Sequence, residues 1–183
     1  MTGPGGGYPR GMAIRDIRLF GDPILRTAAE PVTDFDKQLR SLVKDLTQTL
    51  DDAQGAGLAA PQIGVGLRVF AYAVGSERGY LVNPGLEFPD EEEQDGEEGC
   101  LSFPKIRGDV SRPDEVAVEF SDERGNRHTL RCNGLLSRCV QHEVDHLNGV
   151  LFIDRMDKKA RALVDADVKA LAKRTRQARK ALA

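Results

Sequence analysis

Tryptophan is missing from this chain, and cysteine and histidine are scarce, at three residues each. A small, odd number of cysteines does not support a disulfide framework, and in a reducing compartment it leaves a thiol available as a metal ligand or nucleophile. No apolar run approaches the ~18 residues that a membrane span needs. Residues 1–11 are rich in glycine and proline and lack the hydrophobic region of a targeting peptide, so they read as a flexible leader and the protein as cytoplasmic. No Gly-Lys-Ser/Thr follows the glycine-rich stretch at 55–64, which excludes a phosphate loop.

What remains is a chain of 183 residues, enough for one domain with its own core. Its net charge of −3 is unevenly spread. From Arg155 onward there are ten basic and three acidic residues, a charge of +7, so the preceding part carries −10. Eight of the acids lie between Glu87 and Glu98 without a basic residue among them. A basic tail on an acidic body suits contact with a polyanion, and equally a solvated helix face.

Periodicity supplies the elements. Residues 12–20 suit an edge strand. Leu39, Leu42, Val43, Leu46 and Leu50 repeat at helical spacing within 36–53, with Gly55 as the expected C-terminal cap. Residues 67–74 and 80–82 are rich in β-formers and read as a hairpin turning through 75–79. The acidic run after it reads as a solvated loop. Val116, Val118 and Phe120 alternate along 114–120, and 128–132 is the expected antiparallel partner across a turn at 122–126. A helix at 134–148, an apolar exit at 150–153 and a long polar helix at 157–182 complete the chain. Helix, antiparallel strands, helix, helix is the order of an α+β fold. We expect antiparallel sheets packed around the 134–148 helix, with a C-terminal helix: a leader at 1–11, a catalytic domain at 12–156, and a basic helix of the same domain at 157–183.

The 134–148 helix carries the chemistry. His142 and His146 are four residues apart, which places both imidazoles on one helical face where they can share a metal ion. Glu143 is beside the first of them, and its carboxylate can reach a water activated by that metal without being a ligand. With three histidines and twelve glutamates in the chain, a His-Glu-x-x-His pattern is expected by chance only ~0.003 times. The alternative is a pair of core histidines bonded to backbone carbonyls. A catalytic site of this kind takes three protein ligands and keeps one position open. His128 sits in a charged strand or turn and is expected to be exposed. Cys100, next to Gly99, would complete a Cys-His-His set as a thiolate; alternatively it is a small buried hydrophobe, as Cys132 and Cys139 are taken to be. The small residues from Gly55 to Gly64 form either a tight loop presenting Gln62 or a structural turn.

Three segments, Gly55-Ala56-Gly57-Leu58-Ala59-Ala60-Pro61-Gln62, Glu98-Gly99-Cys100-Leu101-Ser102 and Gln141-His142-Glu143-Val144-Asp145-His146-Leu147, resemble the signature motifs of peptide deformylases in order and spacing. The resemblance covers 14–155. It implies Cys100, His142 and His146 as ligands of one divalent cation, commonly Fe2+ and otherwise Zn2+, Ni2+ or Co2+, and Glu143 as general acid and base. It implies Gln62 and the Leu101 N–H as oxyanion donors. The substrate would be the nascent formylated peptide, lying extended against Gly57 and Gly99. Ala56, Leu135 and Cys139 would line the methionine pocket, and Arg107 would meet the peptide further along. Glu98 would orient a ligand histidine, and Arg112 would pair with Asp145 to brace the helix. Gly96 and Arg138 stand where the family pattern has larger apolar residues. The leader and the basic tail lie outside the resemblance; the ten basic residues of the tail could dock on ribosomal RNA, as C-terminal helices do in some relatives of the family it resembles, and neither a membrane nor a specific DNA partner is expected. Two rivals are a His-Glu-x-x-His metallopeptidase, against which stand the upstream Cys100 and the lack of a downstream ligand pattern, and a non-catalytic, metal-stabilised ribosome-binding module.

Overall fold

The computed structural model describes residues 14–183; the leader at 1–11, and the start of the strand expected at 12–20, lie outside the described residues. Within 14–20 no strand forms. The Arg18 N–H donates to Gln62 O at 2.6 Å and the Phe20 N–H to Ser102 O at 2.9 Å, so successive residues bond different segments and no single neighbour propagates a ladder.

Helix α1 (Lys37–Ala53) starts at Asp36, whose carboxylate accepts from the N–H groups of Gln38 and Leu39 at 3.0 and 3.1 Å. Its apolar stripe, Leu39, Leu42, Val43, Leu46 and Leu50, is buried. The cap differs from expectation. Gln54 takes the left-handed conformation (φ 53°), while Gly55 only donates back to Leu50 O at 3.3 Å. Gly55 instead makes room for Leu101, whose Cδ1 would lie 2.8 Å from a β-carbon there.

Strand β1 (Gly57–Ala59) and a 3-10 turn (Ala60–Ile63) follow. β2 (Val69–Val74) and β3 (Glu77–Glu87) form the expected hairpin, but its turn is tighter: Val74 already pairs with Glu77, and Gly75 adopts φ +59°. The acidic segment departs most from the sequence reading. β4 (Glu93–Cys100) pairs along its length with β5 (Phe103–Pro113), where a loop was expected. Glu93, Asp95 and Glu97 point to solvent while their backbone is paired, so acidity here marks one strand face. β6 (Val116–Ser121) and β7 (Arg127–Cys132) are the second expected hairpin.

The strands make a five-stranded antiparallel sheet, β1-β2-β3-β6-β7, and the separate β4-β5 ribbon. Helix α2 (Gly134–Leu147) packs against β1, β2 and β3 of the sheet and β5 of the ribbon, and every residue from Ser137 to Leu147 is buried. The apolar exit at 150–153 becomes part of a one-turn helix, α3 (Phe152–Arg155). Helix α4 (Lys158–Ala181) lays Val164, Val168 and Leu171 into a cluster with Phe103, Ile106, Val110 and Phe152. The architecture is the α+β arrangement expected, with α2 between two antiparallel layers.

Candidate metal centre

The spacing within α2 sets the two imidazoles one turn apart, ring centroids 5.0 Å from each other. The β4-β5 ribbon brings the third group. Its register shifts between Gly99 and Cys100, and the turn that follows directs the Cys100 thiol at α2. Cys100 Sγ lies 3.3 Å from His146 Nε2, and one donor atom from each of Cys100, His142 and His146 falls within 4.8 Å of the others. Among the described residues this is the one such cluster of cysteine, histidine and carboxylate groups. His128 is absent from it: its ring is half-exposed and pairs with Asp122 at 2.9 Å.

The orientation of the His142 ring has a visible cause, whereas the buried Nδ1 of His146 meets no protein partner. Glu98 Oε2 is 2.9 Å from His142 Nδ1. A carboxylate only accepts, so Nδ1 carries the proton and Nε2 keeps its lone pair for a cation. Arg112 donates through Nε and Nη2 to the two oxygens of Glu98, and through Nη1 to Asp145 at 2.9 Å; Arg155 grips Asp145 from the other side at 2.8 and 3.1 Å. Burial alone would raise the Glu98 carboxyl, but the bonds from His142 and Arg112 outweigh it and bring the group down to about 2. Burial opposes charge on Arg112, and its bonds to Glu98 and Asp145 more than compensate. Among the protein groups alone, burial works against a charged His142, yet the Cys100 sulfur and Glu98 raise its pKa well above the usual imidazole value. Burial and the neighbouring His142 push His146 the other way.

Glu143 is 3 % exposed, and its Oε2 has no protein partner. Burial lifts this carboxyl to about 7, with His142 pulling it down and Glu98 pushing it up. Gln62 faces the same space. Its Oε1 accepts from the Ala59 N–H at 2.9 Å, which fixes the amide's orientation, and its Nε2 lies 3.0 Å from Ser102 Oγ and 3.6 Å from Cys100 Sγ.

A cleft of about 720 Å3 opens above the cluster. Ala56, Gly57, Gln62, Glu98, Gly99, Leu101, Arg107, Leu135 and Cys139 all line it with Cys100, His142 and Glu143; His146, Arg112 and Asp145 lie behind that wall. Leu135 is largely exposed, Cys139 Sγ lies 3.3 Å from Ala56 O, and Arg107 pairs at the rim with Glu97 at 2.5 Å. Burial raises the Cys139 thiol well above the usual range, which suits a wall and not a nucleophile.

Two residues at this site were not assigned a role from sequence. Ser102, fully buried, is the acceptor that holds Gln62, and a lone serine after a cysteine gives no signal of that. Arg138 is 6 % exposed and bonds to Glu98, and the sequence marked it only as a departure, like Gly96, from the larger apolar residues of the family pattern.

Residues 14–162 match the family model described as Polypeptide deformylase. The chain belongs to the peptide deformylase family. Among its relatives, the peptide deformylase of Acidothermus cellulolyticus is 59 % identical over 152 residues, covering 83 % of this chain and 84 % of that protein. That of Opitutus terrae is 50 % identical over 190 residues, covering 92 % and 98 %. Among solved structures, a plant peptide deformylase superposes with a TM-score of 0.87 at 32 % identity, covering 93 % of this chain and 95 % of that one. The Plasmodium falciparum peptide deformylase in complex with an inhibitor gives 0.81 at 36 % identity, covering 86 % and 99 %. The activity is therefore metal-dependent hydrolysis that removes the formyl group from the N-terminal formylmethionine of nascent polypeptides. Neither a metallopeptidase nor a non-catalytic module is favoured.

Proposed function

We propose that Cys100, His142 and His146 hold one divalent cation, that Glu143 is the general acid and base, and that Gln62 with the Leu101 N–H forms the oxyanion hole. The convergence of one sulfur and two imidazoles at the floor of a cleft, beside a buried and unpartnered carboxylate oxygen, carries this assignment. The donor set fits the group. One thiolate and two neutral imidazoles reduce a dication to a net +1 and leave one position open. When bound there, the cation supplies Lewis acidity, polarising the formyl oxygen and acidifying water.

The remaining steps belong to the chain. Glu143, with its carboxyl lifted to about 7, takes a proton from the attacking water and returns it to the nitrogen of the leaving amine. Such a relay is typically worth ~10²–10⁴ in rate. As the formyl carbon becomes tetrahedral, charge gathers on its oxygen, and the amide of Gln62, already fixed by Ala59 and Ser102, donates to it without reorganising. An extended peptide backbone lies along Gly57 and Gly99, Ala56, Leu135 and Cys139 receive the methionine side chain, and Arg107 meets the peptide at the rim. Glu98, Arg112 and Asp145 hold the ligand-bearing face of α2 in place. Replacing Glu143 by Gln tests the central role: cation content and fold should persist while turnover of formyl-Met-Ala disappears, and surviving turnover would overturn it.

Fe2+ is proposed as the resident cation, as the family resemblance implies; a site softened by one thiolate is compatible with it and equally accepts zinc. Metal content of protein isolated anaerobically, set beside its activity, decides between iron and zinc. No helix among the described residues is long and apolar enough to cross a membrane. Because it acts on nascent chains, the enzyme is proposed to work in the cytoplasm. The exposed Lys158, Lys159, Lys169, Lys173 and Arg174 of α4 are proposed to dock on the ribosome. Co-sedimentation with ribosomes after deletion of 158–183 tests this, and undiminished binding would exclude it.

A further inference from the structure

Arg138 lies on α2 one turn before His142, and its guanidinium is spent on the β4-β5 ribbon. Nη1 lies 2.8 Å from Val110 O, 3.3 Å from Gly96 O and 2.9 Å from Glu98 Oε1, while Nη2 donates to Gln94 O at 3.0 Å. Three of these acceptors are backbone carbonyls of the ribbon whose end carries Cys100. The donor side chain comes from the helix that carries His142 and His146. Gly96 makes the contact possible: a β-carbon there would lie 3.1 Å from Nη2, 3.3 Å from Cζ and 3.4 Å from Nε. A guanidinium with four acceptors, three of them sharing the two protons of Nη1, has no slack to give that space back.

From this we infer that Arg138 is a positioning residue, a cross-tie that fixes the thiol-bearing ribbon at the distance from α2 at which sulfur and imidazoles converge, with Gly96 as the space it occupies. The inference rests on the proposed Cys-His-His ligand set. Charge and tie predict opposite signs. Loss of a cation close to a bound dication would, by Coulomb's law, tighten metal binding. Loss of the tie lets the two ligand-bearing elements drift and loosens it. Partners that orient metal ligands from behind are typically worth ~10–100-fold in affinity, and the tie predicts a change of that order. Lysine separates the two effects, because it keeps the charge but has no planar fork to span four acceptors.

The test uses full-length protein loaded with zinc, reading the rate of zinc release to a chromogenic chelator and the Nδ1-proton resonance of His142. Arg138→Met and Arg138→Lys should both release zinc at least ~10-fold faster and broaden or shift that resonance. Gly96→Ala should do the same while keeping every hydrogen-bonding group. Adding Gly96→Ala to Arg138→Met should change little further, since the methyl then has nothing to displace. Wild-type release in Arg138→Lys with slower release in Arg138→Met would show a charge effect and overturn the tie. So would variants that melt lower yet keep the wild-type release rate and resonance, or strictly additive effects of the two positions. Should Arg138→Met not fold, Gly96→Ala decides alone. Wild-type protein that retains no zinc would overturn the ligand set and the cross-tie together, whereas tight wild-type binding unchanged in every variant overturns the cross-tie only.

Discussion

Gly57 on β1 and Glu143 on α2 are so closely apposed that a β-carbon at position 57 would lie 2.7 Å from Cδ and 2.8 Å from Cγ of Glu143. These are inner atoms of the side chain, so no small rotation of the carboxylate relieves the overlap; the whole side chain must move. Gly57→Ala should therefore displace Glu143 while leaving the proposed ligands Cys100, His142 and His146 unchanged. We expect kcat to fall by about 10²-fold, the low end of what general acid–base catalysis contributes, with metal content unchanged. Steady-state kinetics on formyl-Met-Ala beside metal analysis checks this, and a fall in metal content equal to the fall in kcat would place the damage at the ligands.

Ser102 acts on Gln62 as Gly57 acts on Glu143. Its hydroxyl accepts from Gln62 Nε2 at 3.0 Å with both residues fully buried. Ser102→Ala leaves a buried amide N–H without its acceptor, a cost of about 1–3 kcal/mol. It also frees the amide to turn towards the Cys100 sulfur. Expected outcomes are a lowered melting temperature and a kcat reduced about 10-fold, a milder loss than the ~10²–10³ that removal of an oxyanion donor causes in Gln62→Ala. Combining both substitutions should reproduce Gln62→Ala, because Ser102 has no role once the amide is gone. Additive losses in kcat would show that Ser102 acts elsewhere.

These two contacts mark where sequence reading stopped. The pairing of His142 and His146 on one helix face, with Glu143 beside them, was legible from a four-residue spacing that has a mechanical meaning; the residues alone left Cys100 and Gln62 open, and only the resemblance pointed to the proposed roles of these two. Glu98, Arg112 and Asp145 were anticipated through the resemblance, and the side chains do form one bonded chain. Strand β4 was missed because its alternation is acid against small or polar residue, not apolar against polar, and β5 because Phe103, Ile106 and Val110 lie three and four residues apart, not at the strand period of two. Gly96 and Arg138 looked like two separate departures from a pattern, and only packing shows that one fills the space the other leaves. Pairing of this kind depends on the register of β4 with β5, which no local periodicity encodes.

The Asp154 carboxylate gives a pH signature away from the cleft. Burial would raise it, but Arg26 and the Leu151 N–H hold it below the usual carboxylate range. A depressed folded pKa contributes stability that is fully present above the unfolded value near ~3.9 and is lost as pH falls through the folded one. Arg26 and Asp154 are both more than a third exposed, so after solvent screening the pair is worth at most about 1 kcal/mol. Asp154→Asn keeps an oxygen for Leu151 and removes only the charge. The melting temperature of wild type should exceed that of the variant by about 2–4 °C at pH 7, a gap that narrows below pH ~4. A gap that widened in acid would reverse the assigned sign.

Removal of the cation separates the three cysteines. Of the three, Cys100 alone belongs to the proposed ligand cluster; Cys132 is packed in β7, where burial raises its thiol to about 11. A cation that binds only the folded chain stabilises it by about 4 kcal/mol when present at a thousandfold excess over its dissociation constant. For a domain of this size that amounts to roughly 10 °C in melting temperature. Metal-free protein should thus melt about 10 °C lower than the zinc-loaded form, and zinc should restore the difference in wild type and in Cys132→Ala. In Cys100→Ala, zinc should restore almost none of it, because two imidazoles without the thiolate hold a dication far more weakly. Full restoration by zinc in Cys100→Ala would mean that the sulfur is not a ligand, and a loss of restoration in Cys132→Ala would place a second cation outside the cleft.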